Sequence, residues 1–200
     1  MKILIIGGKG TIGKRVVAAL ESEHELIIGG RKNADVEVDI ADSSSIEAMY
    51  KQVGKVDAVI CIGGEAKWAK MKDLSEEDYY IGIRSKLMGQ VNLVRQGVQN
   101  LNPNGSFILS TGILADDPVP MTSSAAMVNG AIHSFAQAAA LELEEGKRLN
   151  VVSLGLVADS ADKYKDYFPG HNPVPMDEAV NAYIKALRGR MNGQIIRHYR

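Results

Sequence analysis

The residues best placed to do chemistry open the chain. Gly7-Gly8-Lys9-Gly10-Thr11-Ile12-Gly13 is a glycine-rich turn. It stands between an apolar, β-branched run, Lys2 to Ile6, and a helical pattern through Val16, Val17, Ala19 and Leu20. Strand, glycine turn and helix together set backbone N–H groups and a helix N-terminus around a pyrophosphate. Glycine permits the tight turn and lets the backbone approach phosphates with no Cβ between. Thr11 and Ile12 open the helix, Gly13 lets it pack close to the sheet, and Lys9 belongs to the same binding set.

A second strand, Glu25 to Gly30, runs into Arg31-Lys32-Asn33. In dinucleotide folds an acid at the end of this strand binds the adenosine ribose hydroxyls and selects NAD, whereas a basic residue accommodates the 2′-phosphate of NADP. Arg31 and Lys32 stand there with no acid. An arginine fork donates two parallel hydrogen bonds to a phosphate and stays charged. The expected cofactor is therefore NADP(H) in preference to NAD(H). A strand at Val56 to Ile62 ends in Gly63-Gly64, which allows close backbone approach at a topological switch point.

Further elements must position these residues. Asp35 to Ile40 alternates as a short third strand, yet only Arg31 to Ala34 separate it from the second. A parallel crossover needs about a dozen residues or more, so the helix between these strands is missing. Ser43-Ser44-Ser45 supplies N-cap candidates for a helix with Ile46, Met49, Tyr50 and Val53. Long helices are expected over about 75–99 and 122–145, the second rich in small residues that allow close helix packing. Asn102-Pro103-Asn104-Gly105 reads as a turn before a strand at Ser106 to Thr111. A sixth strand, Asn150 to Leu154, precedes an irregular stretch, Leu156 to Pro175, long enough for a lid or binding loop. A helix from Met176 to Leu187 and a strand from Gln194 to Tyr199 close the chain. The alternation reads as an α/β fold with a doubly wound parallel sheet, in one domain over residues 1–200.

Composition narrows the classes. A net charge of −1 gives no broad electrostatic case for nucleic acid or an anionic membrane. No apolar run approaches the roughly 20 residues of a membrane span, and the start of the chain lacks the pattern of a signal peptide. Cys61 is the single cysteine, which suits a reducing cytoplasm, and no acid or histidine beside it marks an activated thiol. The four histidines lack metal-ligand spacing, so no metal site is expected.

With these landmarks in order, the sequence resembles the short-chain dehydrogenase/reductase family over nearly its full length, in a compact branch of about this size. The segments that carry the resemblance are GGKGTIG, Arg31 after the second strand, VDAVICIGG, SKLMGQVNLV, GSFILSTG and AAALELEEGKRLNVVSLG. The resemblance implies a three-layer Rossmann-type sheet of about seven parallel strands and NADP(H) binding. It also implies a homodimer or homotetramer built on the two long helices. It places Asp39 and Ile40 near the adenine, Gly63 and Gly64 near the ribose, and Gly155 beside the nicotinamide.

The catalytic motif of the family is Tyr-x-x-x-Lys at the start of the helix after the fifth strand. The Tyr exchanges a proton with the substrate oxygen, and the Lys lowers its pKa and holds the nicotinamide ribose. Those positions fall on Ala125 and Asn129, and no tyrosine or lysine occurs between Gly112 and Ala140. The family's Ser falls at Gly112, beside Ser110 and Thr111, and its helix Asn falls near Lys86. Three readings follow. A substituted donor (Thr111, Ser110, Lys86, Tyr164 or Tyr167) serves an NADP(H)-dependent oxidoreductase acting on a small molecule. Or an activated acceptor such as a quinone needs little acid catalysis. Or the chain is a non-catalytic NADP(H)-binding regulator or sensor.

Overall fold

The apolar run at the start of the chain becomes β1 (Lys2–Ile6), which feeds a core on each side of the sheet. Leu4 and Ile6 pack into one cluster and Ile3 and Ile5 into the other, as alternation along a doubly buried strand dictates. The computed structural model describes residues 1–199. After β1 come α1 (Gly13–Leu20), β2 (Glu25–Gly30) and β3 (Val36–Glu37). Next are α2 (Ser43–Val53), β4 (Val56–Cys61) and α3 (Glu76–Gly82). A π-helical segment, Ile83–Met88, leads into α4 (Gly89–Gly97) and β5 (Leu101–Gly112). The remaining elements are α5 (Ser123–Ala139), β6 (Arg148–Leu154), a single-turn α6 (Ala161–Tyr164), α7 (Met176–Arg188) and β7 (Ile195–His198).

The seven strands form one sheet in the order β3-β2-β1-β4-β5-β6-β7, and every pairing is parallel. One face is covered by α2, α4 and α5 through Ile46, Met49, Leu93, Val94, Ile132 and Ala136. The other is covered by α1 and α7 through Val16, Leu20, Ala179, Tyr183 and Leu187. This is the three-layer Rossmann-type α/β fold expected from the sequence. Among the described residues no helix is long and apolar enough to cross a membrane.

Several boundaries differ from the sequence reading, each for a physical reason. The third strand pairs only over Val36–Glu37, not over 35–40, because β2, the strand it pairs with among the described residues, ends at Gly30 opposite Glu37. The missing helix between β2 and β3 is confirmed: a tight loop with Asn33 at φ 53° returns the chain, and Asp35 holds it by accepting from the Ile28 amide at 2.8 Å. Asp42, not a serine, caps α2, its carboxylate accepting from the Ser44 amide at 2.8 Å.

The supposed turn at Asn102–Gly105 is a bulge inside β5. Val56 pairs with Leu101 and Ala58 with Ser106, so the intervening residues loop out of register. The first long helix starts at a capping box, Ser75 with Asp78, but is interrupted by the π segment. The second ends at Ala139 rather than 145, where Glu145 and Gly146 turn at positive φ into β6.

The glycine turn is fixed by packing. A Cβ on Gly7 would lie 2.7 Å from the Ile62 carbonyl oxygen of the neighbouring strand end. A Cβ on Gly13 would collide with the Gly7 carbonyl oxygen, backbone against backbone. Gly13→Ala is therefore expected to cost about 1–3 kcal/mol through overpacking. It should lower the midpoint of thermal unfolding by several degrees; an unchanged midpoint would show that α1 is free to shift.

Candidate active site

The turn holds its shape through its own backbone. Gly7, at φ 81°, donates its amide to the Gly29 carbonyl at 3.1 Å, and Gly10 donates to the Gly7 carbonyl at 3.0 Å. Ile12 stands at the N-cap of α1 and provides no side-chain cap. The Lys14 amide donates to the Gly10 carbonyl and the Arg15 amide to the Ile12 carbonyl, both at 3.0 Å, so what this end offers an anion is the positive end of the helix dipole with no side chain over it. Lys9, Gly10 and Thr11 are exposed at the tip of the turn. Two cavities flank it, one reached by Gly7 and the other by Ile12.

The first cavity, of about 170 Å³, lies over the ends of β1, β2 and β4. Arg31, Asp39, Ile40, Gly63 and Gly64 come together in its wall, joined by Glu65 and Ser85. Gly63 offers open space: a Cβ there would meet nothing nearer than 3.8 Å. Gly64, at φ 114°, is pressed against the Lys86 Cα, where a Cβ would lie at 2.8 Å. Lys32 is exposed and stands outside the wall. Asp39 is engaged in its own turn, accepting from the Ala41 amide at 3.0 Å. The Arg31 guanidinium donates to Glu65 at 2.6 Å, and both side chains are exposed. That partner was absent from the sequence reading.

The second cavity, of about 330 Å³, opens at the ends of β5 and β6. Ile12, Thr111, Gly112, Leu154 and Gly155 line it on the sheet side. Trp68, Leu156, Ser160, Tyr164 and Phe168 line it on the other. The stretch 156–175 forms this second wall and is ordered by turns and contacts. Val157 bridges to Val174, and Phe168 is buried. His171 meets Asp117 at 3.4 Å, and Arg15 of α1 reaches Asp159 at 3.2 Å. Trp68 packs against three of its rings, tilted to Tyr164 at 5.7 Å and Phe168 at 6.5 Å and edge-on to Tyr167 at 6.1 Å between centroids.

The candidate proton carriers separate in space. Ser110 is turned away from the second cavity: its hydroxyl donates to the Cys61 carbonyl and lies 2.8 Å from the Tyr183 hydroxyl of α7. Its amide and carbonyl are held by Gln90 at 2.9 and 3.0 Å. Lys86 donates to the same carbonyl at 3.1 Å. Desolvation of its ammonium holds its pKa below the ordinary lysine value. The sequence offered no sign of that burial. Neither side chain lines the second cavity. Tyr167 packs on Trp68 without lining the cavity, so of the five only Thr111 and Tyr164 reach this wall. Ala125 is buried among Ile113, Leu114, Leu156 and Phe168. Asn129 is buried too, and its side-chain oxygen meets no partner among the described residues. Cys61 is a core residue whose thiol burial pushes up to about 11.

A polar cluster beneath this cavity was not read from the sequence. Thr111 Oγ1 lies 2.8 Å from His133 Nε2 of α5. Asp116 takes two hydrogen bonds from Arg197, at 2.9 and 3.1 Å, and one from the Tyr199 hydroxyl at 2.6 Å. Tyr199 also lies 2.6 Å from the Ser153 hydroxyl. Burial first, then the adjoining Asp116 carboxylate, pushes the Tyr199 phenol up to about 12. Arg197 holds the Asp116 carboxyl below its ordinary range. Burial holds the His133 imidazole below its ordinary pKa. No local motif joins Asp116 to Arg197, which are 81 residues apart.

A family model described as enoyl-(acyl carrier protein) reductase matches residues 12–178. Versicolorin reductase 1 of Dothistroma septosporum is 25% identical over 166 residues, 78% of this chain and 63% of that protein. An uncharacterized oxidoreductase of Methylorubrum extorquens is 26% identical over 125 residues, 62% of this chain and 50% of that one. The chain thus spans about half to three-fifths of the length of these curated relatives. Among solved structures, the protein lin1944 from Listeria innocua is 44% identical over 100% of both chains, with a TM-score of 0.97. A small-chain dehydrogenase in complex with NADPH is 25% identical over 99% of this chain and 96% of its own, with a TM-score of 0.88.

The polar cluster yields a pH prediction. A pKa lowered on folding means the unfolded chain binds the extra proton first. The stability His133 gives by being neutral is therefore present above pH about 6.5 and is lost as pH falls through that value. Thermal unfolding should show the parent protein losing more stability between pH 7 and 5 than a His133→Gln variant. Parallel losses would remove His133 as the cause.

Proposed function

The chain belongs to the short-chain dehydrogenase/reductase family, and from that premise we propose that it is an NADP(H)-dependent oxidoreductase acting on a small molecule. The observation that carries this is the N-terminus of α1, free of any side-chain cap, between two cavities, one lined by charged side chains and the other, among the described residues, by none. NADP(H) has that division: an adenosine end charged by its 2′-phosphate, a pyrophosphate, and a flat nicotinamide. Gly7, Lys9, Gly10, Thr11, Ile12 and Gly13 would hold the pyrophosphate. Arg31, with Lys32 nearby, would meet the 2′-phosphate, Asp39 and Ile40 the adenine, and Gly63 and Gly64 the ribose. Ile12 and Gly155 would flank the nicotinamide, which when bound supplies or takes up a hydride. The NADPH held by the similar dehydrogenase supports the choice.

A second reading, a non-catalytic NADP(H)-binding sensor, has its own support. Ala125 and Asn129 stand where the resemblance places the proton-donating Tyr and its Lys. Either reading is compatible with a homodimer or homotetramer. Ile81, Met88 and Met127 are exposed apolar residues on the two long helical stretches, a surface suited to a second copy of the chain.

Calorimetric titration with NADPH and NADH tests the cofactor assignment. NADPH should bind at least tenfold more tightly. Hydrogen bonds to charged groups contribute about 1.5–3 kcal/mol, so Arg31→Ala should weaken NADPH by roughly ten- to a hundredfold and leave NADH nearly unchanged. Equal losses for both would refute the 2′-phosphate role. Glu65→Gln should tighten NADPH a few-fold, since an exposed ion pair is worth about 0.2–1 kcal/mol and its acid no longer competes for Arg31.

A further inference from the structure

The two cavities differ in charge. Arg31, Asp39 and Glu65 line the first, whereas among the described residues no charged side chain lines the second. An ionised substituent entering the second cavity would lose its hydration without gaining a partner. The cavity's outer wall is aromatic, with Tyr164 and Phe168 set around Trp68, and such walls hold flat rings by offset or edge-on stacking. Its hydroxyls are few. Thr111 is engaged with His133, and Ser160 and Tyr164 belong to the outer wall; the Ser110 hydroxyl and the Lys86 ammonium are turned elsewhere.

We infer that the substrate is an uncharged aromatic quinone, seated against the Trp68–Tyr164–Phe168 wall on the side of the cavity away from Gly155. The inference rests on the oxidoreductase reading above and names its substrate class. The quinone gains a hydride, with its two electrons, from the reduced nicotinamide cofactor, and a proton from water. It leaves as the hydroquinone while the cofactor is left oxidised. The oxyanion formed on the way is of the phenolate type, whose conjugate acid has a pKa near 10. It is a far weaker base than the alkoxide from an aliphatic ketone, so water suffices as the proton source and no dedicated acid is needed.

Trp68 is the chain's single tryptophan, so its fluorescence reports occupancy of this cavity without reference to turnover. Menadione, a neutral naphthoquinone, titrated into the NADP⁺-loaded protein should quench Trp68 saturably and support NADPH oxidation. A sulfonated naphthoquinone should quench at least tenfold more weakly. Ser160→Arg, a change at a half-buried turn, should weaken the menadione quench at least tenfold. NADPH calorimetry on the same samples separates the outcomes. Tight NADPH binding with no menadione quench, or equal quenching by the sulfonate, overturns the substrate class and leaves the cofactor reading standing. Loss of NADPH binding in the parent protein overturns both.

Discussion

The structure depends on one close approach, the descent of the glycine turn onto the ends of β1 and β4. Gly7 leaves the sheet at positive φ with the Ile62 carbonyl where a side chain would begin. Gly13 brings the first turn of α1 against the Gly7 carbonyl. Both contacts are between backbones, so no rotamer change relieves them. The result is a helix end held at the point where β1 and β4 send their connections to opposite faces of the sheet. The two cavities lie on either side because the turn itself divides the groove. The separation of charge between them follows from what flanks each half. Loop residues after β2 and β4 border one, and an apolar segment pinned by Trp68 borders the other.

How much of this was legible in the sequence depended on the range of the signal. β1, the glycine turn and α1 are adjacent in the chain, and each carries its own periodicity, so their meaning was local. The parallel, doubly wound sheet followed from the alternation of strands and helices. Asn102–Gly105 misled because every residue in it favours a turn, whereas the pairing of Leu101 with Val56 is a tertiary fact. The π segment at Ile83–Met88 left no mark, since one extra residue in a helical turn barely disturbs an apolar pattern. Arg31 was identified by type, but its partner Glu65 lies 34 residues on. Asp116 comes from the connection after β5, Ser153 from β6, and Arg197 and Tyr199 from the closing strand and its end, a grouping that only the sheet creates.

Ser110 shows the limit from the other direction. Its place near the end of β5 suggested a hydroxyl at the site, but strand alternation decides which face each residue meets. Ser110 therefore faces Tyr183 of α7, and Thr111 faces His133 of α5. A one-residue difference in register thus separates a structural hydroxyl from one in the cavity wall.

The short return between β2 and β3 has a consequence for how the chain folds. Parallel strands ordinarily meet only after a long crossover, so their contacts form late. Here Gly29 pairs with Val36, seven residues further along. Closing so small a loop costs little more chain entropy than closing a hairpin. This edge of the sheet can zip up from local encounters alone.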